Sequence, residues 1–181
     1  MVIWITGLSG AGKTTLAKEI IKQLANEKKK PILLDGDQLR EIFVDSLDQD
    51  DTHDRSSRLA LALKYSNLAR LLSDQGFWVI VATISLFKEV HLWNRKNLKN
   101  YFEVFLDTPI QELKKRDSKK IYSRFIENEI SNVAGLDLEV DRPSCPDQLV
   151  PFNPNDSVQT LANDIIKSIN LKKNENRMGL H

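Results

Sequence analysis

Short apolar runs and longer amphipathic stretches alternate along most of this chain. That is the sequence pattern of a parallel α/β sheet with helices on both faces. Val2–Thr6 is a continuous apolar run that feeds a glycine-rich turn. Residues 14–28 then carry Leu16, Ile20, Ile21 and Leu24 at helical spacing. Pro31–Leu34 predicts a second strand, closed by Asp35-Gly36-Asp37, and a helical stretch follows over Gln38–Val44. The polar, acidic residues Asp45–Asp54 predict a mobile loop. Arg58–Gln75 predicts a long helix stopped by Gly76, and Phe77–Ile84 a central strand covered on both faces.

The second half continues the alternation. Lys88–Lys99 predicts a helix and Tyr101–Leu106 a strand. Thr108 is placed to cap a further helix with Pro109 in its first position, running through Lys115. The densely charged residues Arg116–Glu129, with Tyr122 and Phe125, predict a helical lid, set at about 116–131. Residues 132–155 hold Pro143, Pro146, Pro151 and Pro154 and little periodicity, so they wrap the surface apart from a short strand near Gln148–Val150. Ser157–Leu171 places Val158, Leu161, Ile165, Ile166 and Ile169 on one side of a closing helix. The expected organisation is one domain over residues 1–171, with a polar, disordered tail over 172–181.

Composition narrows the picture without redirecting it. The 181 residues are 41% hydrophobic and 28% charged, as in ordinary globular proteins. With 26 basic against 25 acidic residues there is no bias toward a nucleic-acid partner. The longest apolar run, Phe77–Ala82, is far too short for a membrane span, and the expected location is the cytoplasm. The single cysteine, Cys145, sits among prolines with no His partner nearby, which speaks against a thiol nucleophile or metal site.

The chemistry is concentrated near the start. Gly7-Leu8-Ser9-Gly10-Ala11-Gly12-Lys13-Thr14 satisfies G-x-x-x-x-G-K-[ST], between a predicted strand and a predicted helix. A chance match is expected in roughly one chain in 200 of this length. In such a loop, glycine dihedrals turn backbone N–H groups inward onto phosphate, and the helix N-terminus adds its dipole. Lys13 supplies a point charge to a polyphosphate, and the Thr14 hydroxyl is a ligand for Mg²⁺. The expected cofactors are therefore ATP and Mg²⁺, with Gly7, Ser9, Gly10, Ala11, Gly12, Lys13, Thr14 and Thr15 forming the nucleotide cradle.

Asp35 and Asp37 should end their strand beside this loop. There a carboxylate can orient an acceptor hydroxyl, take its proton, or hold Mg²⁺ through water. Asp35, Lys13 and Ser85 are the expected catalytic residues. Arg40 shares the helical face of Asp37, and Lys88, His91 and Arg95 form a basic stripe that could face an anionic acceptor. A guanine-binding Asn-Lys-x-Asp is absent from the sequence, so a GTPase is the weaker alternative. A non-catalytic ATP-binding module has little use for the two carboxylates.

Together these residues resemble the adenylylsulfate kinase family, which phosphorylates the 3′-hydroxyl of adenosine 5′-phosphosulfate. The resemblance runs from Ile3 to about Val150. Gly7–Thr15 is similar to the family's P-loop, and Leu34-Asp35-Gly36-Asp37 with Arg40 to its D-G-D-x-x-R element. Ile84-Ser85 is similar to its I-S-P, whose Ser has been described as a phosphorylated intermediate, although direct in-line transfer needs no such relay. Arg116-Asp117-Ser118-Lys119 with Tyr122 resembles its R-D-P-K-G-L-Y lid. Asn132-x-x-Gly135 with Pro143, Pro146, Asp147 and Leu149 resembles its N-F-T-G and P-x-x-P-D-L segments.

The resemblance implies a three-layer αβα P-loop kinase fold with a five-stranded parallel sheet and a tendency to homodimers. It implies Arg116 and Lys119 on the ATP, and Asp37, Arg40, Arg95 and one of Arg58 or Arg55 on a nucleotide acceptor. The departures bear on that acceptor. Leu61 stands where the family has Asn, and Val133 replaces the aromatic that stacks on the acceptor adenine. Leu86, Lys88 and His91 replace a Pro and two arginines. Stacking on an aromatic contributes roughly 1–3 kcal/mol per base. The expected acceptor is adenosine 5′-phosphosulfate, and the alternative is cytidine diphosphoramidate, the substrate of related capsule-pathway enzymes.

Overall fold

The computed structural model describes residues 1–43 and 54–178, with side chains to Asn174. Its elements are β1 (Val2–Gly7), α1 (Lys13–Asn26), β2 (Pro31–Asp35), α2 (Gly36–Phe43), α3 (Arg55–Asp74), β3 (Trp78–Ala82) and α4 (Lys88–Asn97). β4 (Tyr101–Asp107), α5 (Ile110–Arg116), α6 (Ile121–Ile126), β5 (Gln148–Pro151) and α7 (Val158–Met178) complete the chain. The five strands form one sheet in the order β2-β3-β1-β4-β5, and every pairing is parallel.

Strand side chains point alternately to the two faces, so a strand covered on both sides must be apolar throughout. β1 shows this directly. Ile3 and Ile5 join a core with Leu16, Ile20 and Leu24 of α1 and Ile165 and Ile169 of α7. Val2 and Trp4 join the opposite core with Leu61 and Tyr65 of α3 and Val90 of α4. β1 is the middle strand, and β3, which the apolar run singles out, lies beside it.

This topology makes a crevice. β1 and β3 are neighbours, yet α1 leaves β1 on one face and α4 follows β3 on the other. Helices diverging from adjacent strands leave a gap at the carboxyl edge, the usual ligand position in open α/β sheets. Phosphate loop and Asp35 both sit at this edge.

Several boundaries differ from those the sequence predicts. α3 starts at Arg55 rather than Arg58, because the Asp54 carboxylate caps it by accepting from the Ser57 amide at 2.7 Å. Pro109 is itself the N-cap of α5, and no side chain caps that helix, Thr108 included. The lid is not one continuous helix. α5 ends at Arg116, Asp117 and Lys120 take positive φ of 29° and 52°, and only Ile121–Ile126 is helical beyond them. Asp117 then accepts from the amides of Tyr122 and Ser123, both at 2.9 Å, which starts the short helix afresh.

α7 continues to Met178, so residues 172–178 are helix and not the disordered tail. The extension is anchored where it begins: Lys172 pairs with Asp147, and Lys173 lies 3.9 Å from the centre of the Trp78 ring. The predicted loop Asp45–Asp54 falls outside the described residues except for Asp54, as does Val44 at the end of the predicted second helix.

Candidate active site

β1 ends in the phosphate loop, and Gly12, at φ 95°, is the left-handed N-cap from which α1 starts. A left-handed turn there costs glycine little and a side-chain-bearing residue more. The Lys13 ammonium curls back to donate to the Leu8 carbonyl at 2.8 Å. Burial and the neighbouring Lys119 push its pKa down to about 8, against the pull of Asp37 and Asp35. An ammonium so placed is short of negative charge, and a polyphosphate cradled by the loop is the ligand that would supply it.

The Thr14 hydroxyl donates to Asp35 Oδ2 at 2.6 Å, and the Asp37 amide donates to Asp35 Oδ1 at 3.0 Å. Asp35 is buried, with both oxygens engaged. A hydroxyl that gives its proton to a carboxylate turns its lone pairs away from it. That arrangement fits a Mg²⁺ held by one hydroxyl, waters and substrate phosphates, which is how this ion is usually bound. No group of three or more His, Cys, Asp or Glu able to hold a metal occurs among the described residues.

Around these groups opens a cleft of about 670 Å³. Asp37, Arg40, Arg58 and Ser85 line it, and so do Arg116 and Lys119 from the lid. Lys119 pairs with Asp37, so the lid reaches across to the end of β2. The lid is fastened to the phosphate loop as well: the buried Tyr122 hydroxyl donates to the Ser9 carbonyl at 2.9 Å. Burial and the charge of Arg40 push the Arg58 guanidinium down, with only partial relief from Asp137. Its Nε is one of the buried nitrogens with no hydrogen-bond partner among the described residues. Two guanidinium groups lining one cleft suit an anionic ligand.

Ser85 is buried at φ 28°, and its hydroxyl lies 2.9 Å from that of Thr83. It does not cap α4, whose N-cap is Phe87. A left-handed residue other than glycine at a cleft wall is a strained position. Of the cradle residues, Ser9, Gly10, Gly12, Lys13, Thr14 and Thr15 line the cleft, while Gly7 and Ala11 stand behind them.

Three predicted acceptor contacts fall elsewhere. Arg55 is outside the cleft lining and is held by Glu89 at 3.2 Å and Asp141 at 2.9 Å; Arg58 takes the inward position. Arg95 is turned away into a structural network, bonding Glu103 at 3.0 Å, Asp147 at 2.8 Å and the Cys145 carbonyl at 2.7 Å. His91 is buried, its Nδ1 2.7 Å from Glu103 Oε1. His91 and Arg95 therefore stitch α4 to β4, and no residue of the basic stripe lines the cleft.

Sequence reasoning passed over two groups that line it. Tyr65 packs below Asp37, its hydroxyl 3.5 Å from the Gly36 carbonyl, and burial pushes its pKa up to about 12. Glu139 lies in the proline-rich segment, where no periodicity marks an inward side chain. That segment also touches the phosphate loop. At Gly135, with φ 83°, a Cβ would stand 2.9 Å from Leu8 Cδ2.

A parallel sheet with a nucleotide-cradling loop, a charged lid and a carboxylate across the cleft defines the P-loop kinases, and this chain is a phosphotransferase of that class. A family model described as adenylylsulphate kinase matches residues 1–151, and the chain belongs to that family. It is 40% identical over 170 residues to the cytidine diphosphoramidate kinase of Campylobacter jejuni subsp. jejuni serotype O:2, covering 94% of this chain and 96% of that one. It is 36% identical over 165 residues to the adenylyl-sulfate kinase of Pseudomonas aeruginosa, covering 90% and 78%. Among solved structures, the Mycobacterium tuberculosis APS kinase CysC in complex with AMPPNP and APS superposes with a TM-score of 0.83 at 32% identity, covering 93% of this chain and 96% of that one. No helix among the described residues is long and apolar enough to cross a membrane.

Proposed function

We propose that this kinase moves the γ-phosphate of Mg-ATP to the ribose 3′-hydroxyl of a cytidine 5′-diphosphate-like ester, with cytidine diphosphoramidate as the acceptor. The observation that carries the reading is the pairing of a complete phosphate machinery with an acceptor end from which the family's adenine-handling groups are missing. Leu61 lines the cleft where the family has Asn, and the buried Val133 stands where its stacking aromatic would be. The relative that is 40% identical over nearly the full length of both chains is a cytidine diphosphoramidate kinase, which supports the same reading.

Magnesium ATP, when bound, supplies the phosphoryl group and the metal charge that shields it. The chain's residues do the positioning. The loop amides and Lys13 would hold the β- and γ-phosphates, and Arg116 and Lys119 would approach the nucleotide from the lid. Asp35 would keep the Thr14 hydroxyl turned toward the metal. Asp37 is the more exposed carboxylate, and once its pairing with Lys119 is exchanged it would orient the acceptor hydroxyl and receive its proton. That division differs from the role of base first expected for Asp35, whose oxygens are both occupied. Arg40 and Arg58 would hold the diphosphate-like group of the acceptor, and Ser85, beside Thr83, would steady the transferring phosphoryl group.

Adenosine 5′-phosphosulfate is the second reading, favoured by the family match and by the superposition on a structure solved with APS. Steady-state assays with saturating Mg-ATP separate the two. The expected outcome is a higher kcat/KM on cytidine diphosphoramidate; a higher value on adenosine 5′-phosphosulfate would reverse the assignment.

A further inference from the structure

Leu86 and Phe87 line the cleft on one side and Ala134, Leu138, Glu139 and Val140 on another, where the acceptor would bind. The two walls are joined, because the Asp141 amide donates to the Leu86 carbonyl at 2.9 Å. Ala134, Leu138 and Val140 give the second wall an apolar surface on which a base can lie, and Glu139 is its one charged side chain. Arg40 and Arg58 in the same lining are cationic and suited to phosphate, and Asp37 is assigned to the acceptor hydroxyl. Glu139 is exposed and, unlike Asp137 and Asp141 on the same segment, makes no hydrogen bond or ion pair within the described residues.

The turn itself accounts for its neighbours. Asp137 accepts from the amides of Asn132 and Val133 at 2.7 and 2.6 Å, and Asp141 accepts from the Lys88 amide and from Arg55. Both carboxylates are consumed in holding the segment in place. Glu139 holds nothing within the fold, which leaves its carboxylate available to a ligand in the cleft. An ionised carboxylate only accepts hydrogen bonds, so the ligand group it faces must be a donor. At position 4 of a pyrimidine, cytosine presents such a donor in its exocyclic amine, whereas uracil presents a carbonyl oxygen there and keeps a donor only at N3.

We propose that Glu139 is a specificity-determining residue that accepts a hydrogen bond from the N4 amine of a cytosine acceptor and rejects uracil. This rests on the cytidine reading of the preceding section. The Glu139 carboxylate opposes the O4 carbonyl of uracil with like partial charge, so discrimination comes from repulsion as well as attraction.

The test is equilibrium titration of cytidine 5′-diphosphate and uridine 5′-diphosphate into the full chain saturated with Mg-AMPPNP, for the parent, Glu139→Ala and Glu139→Gln. A hydrogen bond to a charged group predicts at least about tenfold tighter binding of the cytidine compound by the parent. In Glu139→Ala that ratio should fall to within about threefold, by weaker binding of the cytidine compound, and AMPPNP affinity should not change. Glu139→Gln, which keeps an accepting oxygen and gains a donor for O4, should fall between the two. An unchanged ratio in Glu139→Ala, no preference in the parent, or binding of neither diphosphate would each overturn the proposal. Turnover of cytidine diphosphoramidate with an unchanged ratio would overturn it while leaving the proposed function standing.

Discussion

At the scale of single residues, Lys13 has the most direct solution signature. Its pKa in the free protein is pushed down from 10.5 to about 8 by burial. A lysine whose folded pKa lies below its unfolded value penalises the fold when charged. The penalty is fully present below about pH 8 and gone above 10.5. A bound polyphosphate removes it by restoring the ammonium. Nucleotide binding should therefore take up a proton once the pH exceeds about 8, with affinity falling by up to about tenfold per unit above that. Calorimetric titration of AMPPNP at pH 7, 8 and 9, in two buffers of different ionisation enthalpy, reads both effects; a flat affinity with no proton uptake would exclude this account of Lys13.

At the scale of elements, the periodic segments were legible and their ends were not. Strand-length apolar runs and helical stripes located β1 to β4 and the long helices, because burial against the sheet forces those patterns, whereas β5, at an edge and buried only at Val150, carries little of one. Ends depend on local competition for backbone groups, which periodicity does not record. Asp54 reads as one more acidic loop residue until its carboxylate is seen on the Ser57 amide, and Asp117 breaks the lid by the same chemistry. The meeting of Lys13, Thr14 and Asp35 was legible from a motif and a strand end. The inward turn of Arg58 and the outward turn of Arg55 and Arg95 were not, since helical spacing alone does not say which cation finds an internal carboxylate. The lid offers its own test. Tyr122→Phe removes only the hydroxyl that fastens α6 to the Ser9 carbonyl. It should cost about 1 kcal/mol in urea unfolding, the worth of one neutral hydrogen bond, and raise the KM for ATP as the phosphate loop loses its fastening. That loss in stability with no change in KM would make Tyr122 merely structural.

At the scale of the whole molecule, the lower part of the sheet is held by a polar network as well as by its two cores. Glu103, buried in β4, accepts from Arg95 at 3.0 Å and from the Tyr101 hydroxyl at 2.9 Å, and meets His91 at 2.7 Å. Asp147 receives Arg95 and Lys172, tying the proline-rich segment to α4 and α7. Although burial opposes it, these partners hold the Glu103 carboxyl below its usual range. Glu103→Ala removes the buried acceptor shared by Arg95, Tyr101 and His91, leaving Arg95 only Asp147 and the Cys145 carbonyl. It should cost about 3–5 kcal/mol in urea unfolding, whereas Arg55→Ala, at an exposed pairing, should cost about 1 kcal/mol or less. Equal costs would show that the network is not what holds this region.

Gly135 shows how closely the two halves of the molecule are geared. A Cβ at this turn would stand 2.9 Å from Leu8 Cδ2, so the strip that would grip the second substrate rests directly on the loop that would grip the first. Leu8 in turn lends its carbonyl to the Lys13 ammonium. A ligand that shifted the acceptor wall would therefore press first on Leu8, the residue whose carbonyl receives the Lys13 ammonium.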